Sequence, residues 1–361
     1  MSLYEDLKPF LTFSKMFGLA PYSVSGIDVN LSRIWIAHST FCILVNIYLV
    51  YLRYTGFMGP DIKLRFLTVF RTAFAAFLVS VDILICILSH GKLQASLIFM
   101  QRYDQAVKLK RTPKTLIIRC WIGLVATVVY FIYLGWLTYI YEDDEPFESA
   151  VIYFVVYTAT TSSILKFSAI VASLLYRFRH LNFLIKAGSW TEQSGWQRGQ
   201  LTLRDAWFLH NVLVAAAREL NSLYSIQLLL WIIGLTFNII SRIYVIFDTE
   251  HYFEVAKMCR ESGLAAIFIF LLTALAGVCH LTAAEANKVG SVAFSPDSNI
   301  FQRHRATSNS EIEESMQIGL YFLYHRLNFS AASGLLQVDL PLLQTIAGTM
   351  TTYLVILKSP G

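Results

Sequence analysis

Apolar residues along this chain gather into long blocks separated by short polar and charged stretches. A bilayer core about 30 Å thick is crossed by about 20 helical residues. Seven segments meet that length: 32–52, 66–88, 116–140, 151–176, 225–247, 264–284 and 338–357. Two of the connections carry a helical pattern as well. Leu209, Leu213, Ala216 and Leu220 share one face of 203–223, and Ile312, Met316, Ile318, Leu320, Leu323 and Leu327 form a broader stripe over 311–329, with Asn309 and Ser310 as N-cap candidates. The pattern predicts an all-α membrane protein of seven transmembrane helices, whose spans extend into a helical layer on one side. Helices lying flat at the lipid headgroups are the alternative for that layer. No Gly- or Ser-rich linker divides the chain, so residues 1–361 read as one domain.

Charge fixes the expected orientation. Only 15% of residues are charged, against about 25% in soluble proteins, so much of the exterior is expected to face lipid. The net charge of +5 resides in the loops between apolar blocks, which argues for membrane topology and against a nucleic-acid partner. With the amino terminus inside, twenty of the 29 Lys and Arg fall on the internal side and seven on the external side. The connection at 141–145, Tyr-Glu-Asp-Asp-Glu, has no cation and fits the external face. Seven crossings then put the carboxyl terminus outside, the reverse of a G-protein-coupled receptor, whose Asp-Arg-Tyr, Asn-Pro-x-x-Tyr and Cys-Trp-x-Pro marks are also missing. The sequons at Asn30 and Asn328 fall on the internal side, beyond the reach of glycosylation. The amino-terminal residues carry acids and lack the apolar core of a cleaved signal peptide.

Other chemistries find little support. Four of the five cysteines lie in apolar blocks and Cys259 stands by itself in an external connection, so no disulfide is expected. No His/Cys grouping has metal spacing. His280 and Glu285 lack a third member for a catalytic set, so neither enzyme activity nor a cofactor is expected.

The informative residues are polar groups inside the spans. An ionisable side chain at mid-bilayer costs at least about 2.5–3.5 kcal/mol and calls for a partner. Asp82 and Lys166 fall at similar depth in spans two and four, which predicts an ion pair; separate water-filled cavities or snorkelling are the alternative. Arg71 lies nearer the outer end, level with a group rich in aromatics and hydroxyls. Arg71, Tyr133, Trp136, Tyr153, Tyr157, Trp231 and Asn238 are the candidate ligand-binding residues. Flat aromatic walls with a few directional polar groups suit a small polar or amphipathic molecule, and cation–π contact is available to a basic one. The competing reading is an interfacial belt of Trp and Tyr. In span seven, Pro341 opens the helix, Thr345, Thr349 and Thr352 follow at i, i+4 and i+7 with Ile356 continuing the stripe, and Gln344 flanks it. Such a stripe can line a pore or let helices pack closely.

Four stretches resemble the insect gustatory receptor family. Thr352-Tyr353-Leu354-Val355-Ile356-Leu357 resembles its closing signature, Thr-Tyr followed by five apolar residues and Gln-Phe. Gly18-Leu19-Ala20-Pro21 is similar to its opening. Residues 217–225, Ala-Arg-Glu-Leu-Asn-Ser-Leu-Tyr-Ser, look like the fructose-receptor and related branches. The approach to span seven, 328–334 and then Asp339, is similar too. The resemblance implies a ligand-gated, non-selective cation channel in the plasma membrane of a sensory neuron. It implies four subunits, as a homotetramer or mixed with related subunits, around one pore lined by span seven, with internal helices holding the assembly. A tastant, sugar or bitter, would bind in the outer half of each bundle. By this resemblance Gln344, Thr345, Thr349, Thr352 and Ile356 line the pore, and Thr352 and Tyr353 carry the signature. The chain departs at its end, where Lys358, Ser359 and Pro360 replace an apolar residue, Gln and Phe. A four-fold ring of Lys358 would repel cations, and Pro360 cannot extend the helix. An odorant-type subunit needing a partner and a secondary transporter are the alternatives; the transporter would require internal repeats, which are not found.

Overall fold

The computed structural model describes residues 2–25, 28–56, 62–109, 114–141, 146–188, 201–248, 255–296 and 309–358. Ten α-helices account for most of them: α1 (Ser2–Met16), α2 (Arg33–Gly56), α3 (Ile62–Leu88), α4 (His90–Val107), α5 (Lys114–Tyr141), α6 (Pro146–Ala187), α7 (Leu203–Asp248), α8 (Val255–Ala293), α9 (Asn309–Tyr324) and α10 (Leu340–Lys358). Two small antiparallel ribbons complete the fold, β1 (Tyr22–Ser25) with β2 (Asp28–Leu31), and β3 (Ser330–Ala331) with β4 (Leu336–Gln337). Among the described residues, six helices, α2, α3, α5, α6, α7 and α8, contain stretches long and apolar enough to cross a membrane. The protein is an all-helical membrane protein.

Three helices far exceed the bilayer. At 1.5 Å per residue, α6, α7 and α8 with 42, 46 and 39 residues run roughly 60–70 Å, about twice the hydrocarbon thickness. Their excess projects at one end of the bundle, here termed the base, where α1, α4 and α9 pack against them. The opposite end, the rim, is where α2, α5 and α7 end and α3, α6 and α8 begin. The amphipathic stretch 203–223 and the apolar block after it are therefore one helix, α7. Its start is fixed by a capping box: the Thr202 N–H and hydroxyl both donate to Asp205 Oδ2, at 3.0 and 2.7 Å, and the Asp205 N–H donates back to Thr202 Oγ1 at 3.1 Å. Leu209, Leu213, Ala216 and Leu220 all turn into the core.

The stripe read over 311–329 behaves differently. The helix is shorter, ending at Tyr324, and Ile312, Met316, Leu320 and Leu323 are exposed while Ile318 and Leu327 are buried. Within the helix Ile318 lies on a different side from Ile312, Met316, Leu320 and Leu323, and Leu327 falls in the strap beyond its end, so the stripe divides. The side chains of Asn309 and Ser310 lie outside the described residues.

Helix α6 forms the axis of the bundle, packing on α1, α2, α3, α5, α7 and α8. A helix covered on all sides needs apolar or small residues all round, and α6 supplies Val156, Ala159, Phe167, Val171, Leu174 and Phe178, all buried. By contrast α2 and α5 expose Phe41, Leu44, Ile47, Ile122, Val125 and Val129, the apolar exterior that lipid solvates and water does not. Close approach of α3 to α7 depends on Gly234, where an added Cβ would fall 2.5 Å from Leu78 Cδ1.

The chain enters by a buried turn. Gly18 adopts φ +73°, accessible to glycine at little cost, and Ser39 Oγ donates to its carbonyl at 2.6 Å. This seats Leu19 in the interior.

Candidate functional site

Near the rim, four helices bring charged and aromatic residues together. Arg71 comes from α3, Tyr153 and Tyr157 from α6, Arg242 from α7, and Arg260, Glu261 and Phe268 from α8; all seven are buried. Glu261 is the hub. Its Oε2 accepts from Arg242 Nη1 at 2.5 Å and lies 3.6 Å from Arg71 Nη1, while Oε1 is 3.1 Å from Arg260 Nη2 and Nε. Arg71 Nη2 also donates to Tyr153 Oη at 3.3 Å. The guanidinium of Arg242 lies over Tyr157, Phe268 and Tyr153 at 5.3, 5.4 and 5.8 Å, and that of Arg260 over Tyr153 at 5.4 Å. Cation–π attraction is strongest when both partners are desolvated. One carboxylate thus serves three guanidiniums, and the ring faces read from sequence as open to a basic ligand are already taken by arginine.

Of the seven ligand candidates, Arg71, Tyr153 and Tyr157 meet in this cluster. Asn238 is buried one helical turn along α7, its amide donating to Gly234 O at 2.9 Å. Tyr133 and Trp136 do not join: they stack on one another along the outer face of α5, 50% and 54% exposed, as an interfacial belt requires. Trp231 belongs elsewhere, eleven residues or about 16 Å further along α7 than Arg242. Arg242, Arg260 and Glu261 were missed because charges close to helix ends read as loop residues. The signal available was the period: Arg242 lies eleven residues, three helical turns, from the apolar-face Trp231.

A second buried layer holds the two charges expected to pair. Trp231 Nε1 donates to Asp82 Oδ2 at 2.8 Å. Lys166 Nζ donates to Leu19 O at 2.7 Å and to Cys86 Sγ at 3.3 Å. Both side chains occupy the same core, yet no direct bond joins them among the described residues. The ammonium is held instead by the Leu19 carbonyl, which the buried turn at Gly18 brings into this layer.

The third feature is α10. Asp339 caps it, accepting the Leu342 N–H at 3.1 Å, with Pro341 in the first turn. It touches its own chain through Leu342, Leu343, Ile346 and Met350 and leaves Gln344, Thr345, Ala347, Gly348, Thr351 and Thr352 exposed. Thr349 and Tyr353 sit at the seam, lining an apolar cavity of about 830 Å³ with Phe66, Ile232, Phe237 and Ile346, between α3, α7 and α10. The side chains of Ile356 and Lys358 and residues 359–361 lie outside the described residues. The strap leading into α10 is held by side chains imitating backbone. Asn287 Nδ2 donates to Leu327 O at 2.9 Å and its Oδ1 accepts the Leu327 N–H at 2.7 Å. Asn221 Oδ1 accepts the Ser330 N–H at 2.9 Å, and Ser225 Oγ accepts the Ser333 N–H at 2.6 Å. Asn221 and Ser225 belong to the stretch 217–225 read as a motif.

Residues 7–357 match the family described as 7tm Chemosensory receptor. A protein named as a gustatory receptor, 28b, of Drosophila melanogaster is 28% identical over 163 residues, which are 43% of this chain and 33% of that protein. The match therefore spans about a third of the relative's length. Among solved structures, the insect olfactory receptor OR5 from Machilis hrabei superposes with a TM-score of 0.75 at 13% identity, over 98% of this chain and 97% of that one. The same receptor in complex with eugenol gives a TM-score of 0.73 at 14% identity, over 97% of each chain. At these identities the likeness is one of fold.

Proposed function

Because this chain belongs to the 7tm chemosensory receptor family, we propose that it is a gustatory-type receptor subunit, a tastant-gated non-selective cation channel of the sensory-neuron plasma membrane. In this reading it crosses the membrane seven times, with the amino terminus and the base in the cytoplasm and the rim and carboxyl terminus outside. Four copies, alike or mixed with related subunits, surround one pore walled by α10. The tastant binds among the rim residues of α3, α6, α7 and α8.

The observation that carries the reading is the bare polar side of α10. Gln344, Thr345, Thr351 and Thr352 face away from their own subunit. The hydroxyls of Thr345, Thr351 and Thr352 already donate to carbonyls one turn back in α10, at 3.4, 2.9 and 3.0 Å, but a lone subunit would still turn the Gln344 amide and the hydroxyls' remaining lone pairs to hydrocarbon; four copies around an axis give them water or each other. The exposed Ile312, Met316, Leu320 and Leu323 of α9 supply the base with an apolar surface for subunit contact. The relative named as a gustatory receptor favours taste, and the eugenol complex of the olfactory receptor supports a small-molecule ligand.

Whole-cell recording from cells expressing this chain alone, challenged with sugars and bitter compounds, tests the proposal. The expected result is a tastant-evoked cation current, blocked by thiol reagents once Thr352→Cys or Gln344→Cys is introduced. Repeating it with Gln and Phe at 359 and 360 measures what the divergent ending does. Currents only with a co-expressed relative would favour the odorant-type subunit, and silence throughout would reject the channel.

A further inference from the structure

The arginine cluster at the rim carries an inference about ligand chemistry. Arg71 and Arg242 both reach toward Glu261 Oε2, at 3.6 and 2.5 Å, so their guanidiniums are neighbours. Glu261 is their charged partner among the described residues, and it also serves Arg260. Among the described residues Arg71 Nε and Nη1 and Arg242 Nε and Nη2 make no hydrogen bond, Arg71 Nη1 standing 3.6 Å from Glu261 Oε2, although Arg71 is 3% exposed and Arg242 fully buried. A buried donor without an acceptor is uncommon in a folded protein and asks for an explanation. Arg242 Nε and Nη2 form one side-on fork, and Arg71 Nε and Nη1 add single donors on separate edges of its guanidinium; a carboxylate, with two oxygens and about four lone-pair positions, can take the fork and one such donor together.

The surroundings sharpen the choice of ligand. The aromatic faces of Tyr153, Tyr157 and Phe268 already hold Arg242, so a cationic ligand would meet arginine where it sought a ring. A neutral hydroxyl could satisfy one or two donors and would leave the charge excess of Arg71 and Arg242 over Glu261 unanswered. An anion meets both demands at once. We propose that the ligand received at the rim bears a carboxylate, clamped between Arg71 and Arg242 with Glu261 holding the two guanidiniums in register. The proposal rests on the rim cluster being the ligand site of the proposed receptor. It gives the tastant a chemical class, a small organic acid in its ionised form.

Binding is measured on the purified full chain in detergent, independently of conduction, as a shift in thermal stability at pH 7. The probes are sodium benzoate and sodium acetate, against benzamide and benzyl alcohol as neutral isosteres and sodium chloride at equal ionic strength. Carboxylates should raise the melting temperature by several degrees at millimolar concentration, and Arg242→Gln should weaken the effect at least tenfold. Arg242→Lys, which keeps the charge and loses the fork, covers the case in which Gln does not fold, and should weaken it by a smaller factor. A shift reproduced by chloride, by the neutral isosteres, or unchanged in both Arg71→Lys and Arg242→Lys would overturn the proposal. Recordings separate the two readings: carboxylate stabilisation without current leaves the anion site standing and removes the channel. Currents evoked by benzyl alcohol and not by benzoate keep the channel and reject the carboxylate.

Discussion

Asp104 of α4 and Arg177 of α6 form a buried tie between the base and the bundle axis. Arg177 Nε donates to Asp104 Oδ1 at 2.9 Å and Nη2 to Oδ2 at 2.6 Å, a two-pronged bridge with side chains only 3% and 7% exposed. Arg177 Nη1 also donates to Ser173 O at 2.9 Å, so the guanidinium is well satisfied. Beside it, Tyr103 Oη lies 2.9 Å from His180 Nδ1 and 3.2 Å from Arg177 O, and burial pushes the Tyr103 phenol well above its ordinary pKa. Asp104→Asn keeps the shape and removes the charge, stranding a buried cation. Breaking one member of such a pair costs about 3–5 kcal/mol, a factor of about 150 to 5,000 in the folding equilibrium. At about 1–2 °C per kcal/mol for a chain of this size, the detergent-solubilised protein should melt about 5 °C lower, followed by fluorescence-detected size exclusion. Removing both charges, Asp104→Leu with Arg177→Met, replaces the bridge by apolar volume and should recover most of the loss, since desolvation of the ions no longer has to be offset. A double variant as unstable as Asp104→Asn would refute this reasoning, because the cost would then lie in packing and not in the stranded charge.

Three further outcomes follow from geometry. Asn221→Ala with Ser225→Ala leaves the Ser330 and Ser333 N–H groups without acceptors, at about 1–3 kcal/mol each; hydrogen exchange at 330–335 should accelerate while the α7 amides keep their protection. Gly234→Ala puts a methyl carbon where Leu78 Cδ1 already sits, so it should destabilise by about 1–3 kcal/mol, and adding Leu78→Ala should cost less than the two changes summed; strict additivity would mean that the contact is relieved another way. Trp231→Phe removes the indole donor from Asp82, a charge-assisted bond worth about 1.5–3 kcal/mol, and Asp82→Asn in the same chain should shrink the penalty in a thermal-melt cycle.

Height along a helix was legible in the sequence; rotation about its axis was much less so. The apolar blocks and the stripe through Leu209, Leu213, Ala216 and Leu220 led directly to helices, because burial and hydropathy leave the same mark. Asp82 and Lys166 read at similar depth from spacing, but spacing says nothing of what a remote turn brings to either of them. The carbonyl of Leu19 arrives 147 positions earlier in the chain. Tyr133 and Trp136 failed for the same cause, being level with the rim cluster and pointing outward. The hub at Glu261 was hidden by its place near the start of α8, where sequence reading assigns a carboxylate to the loop. Asn221 and Ser225 appeared only as letters of a motif, and their grip on the strap explains those residue types physically.

The unbroken course of α7 has a mechanical consequence. Between Ser225, which steadies the strap into α10, and Arg242 at the rim lie 17 residues of one continuous helix, a rod of about 26 Å. A rigid rod has no joint at which a displacement can be absorbed, so a tilt of one degree about its lower end carries the upper end about half an ångström. A movement of Arg242 is therefore passed along α7 as a change in the helix's tilt or position, and Ser225, with the strap it steadies into α10, turns with the same rod.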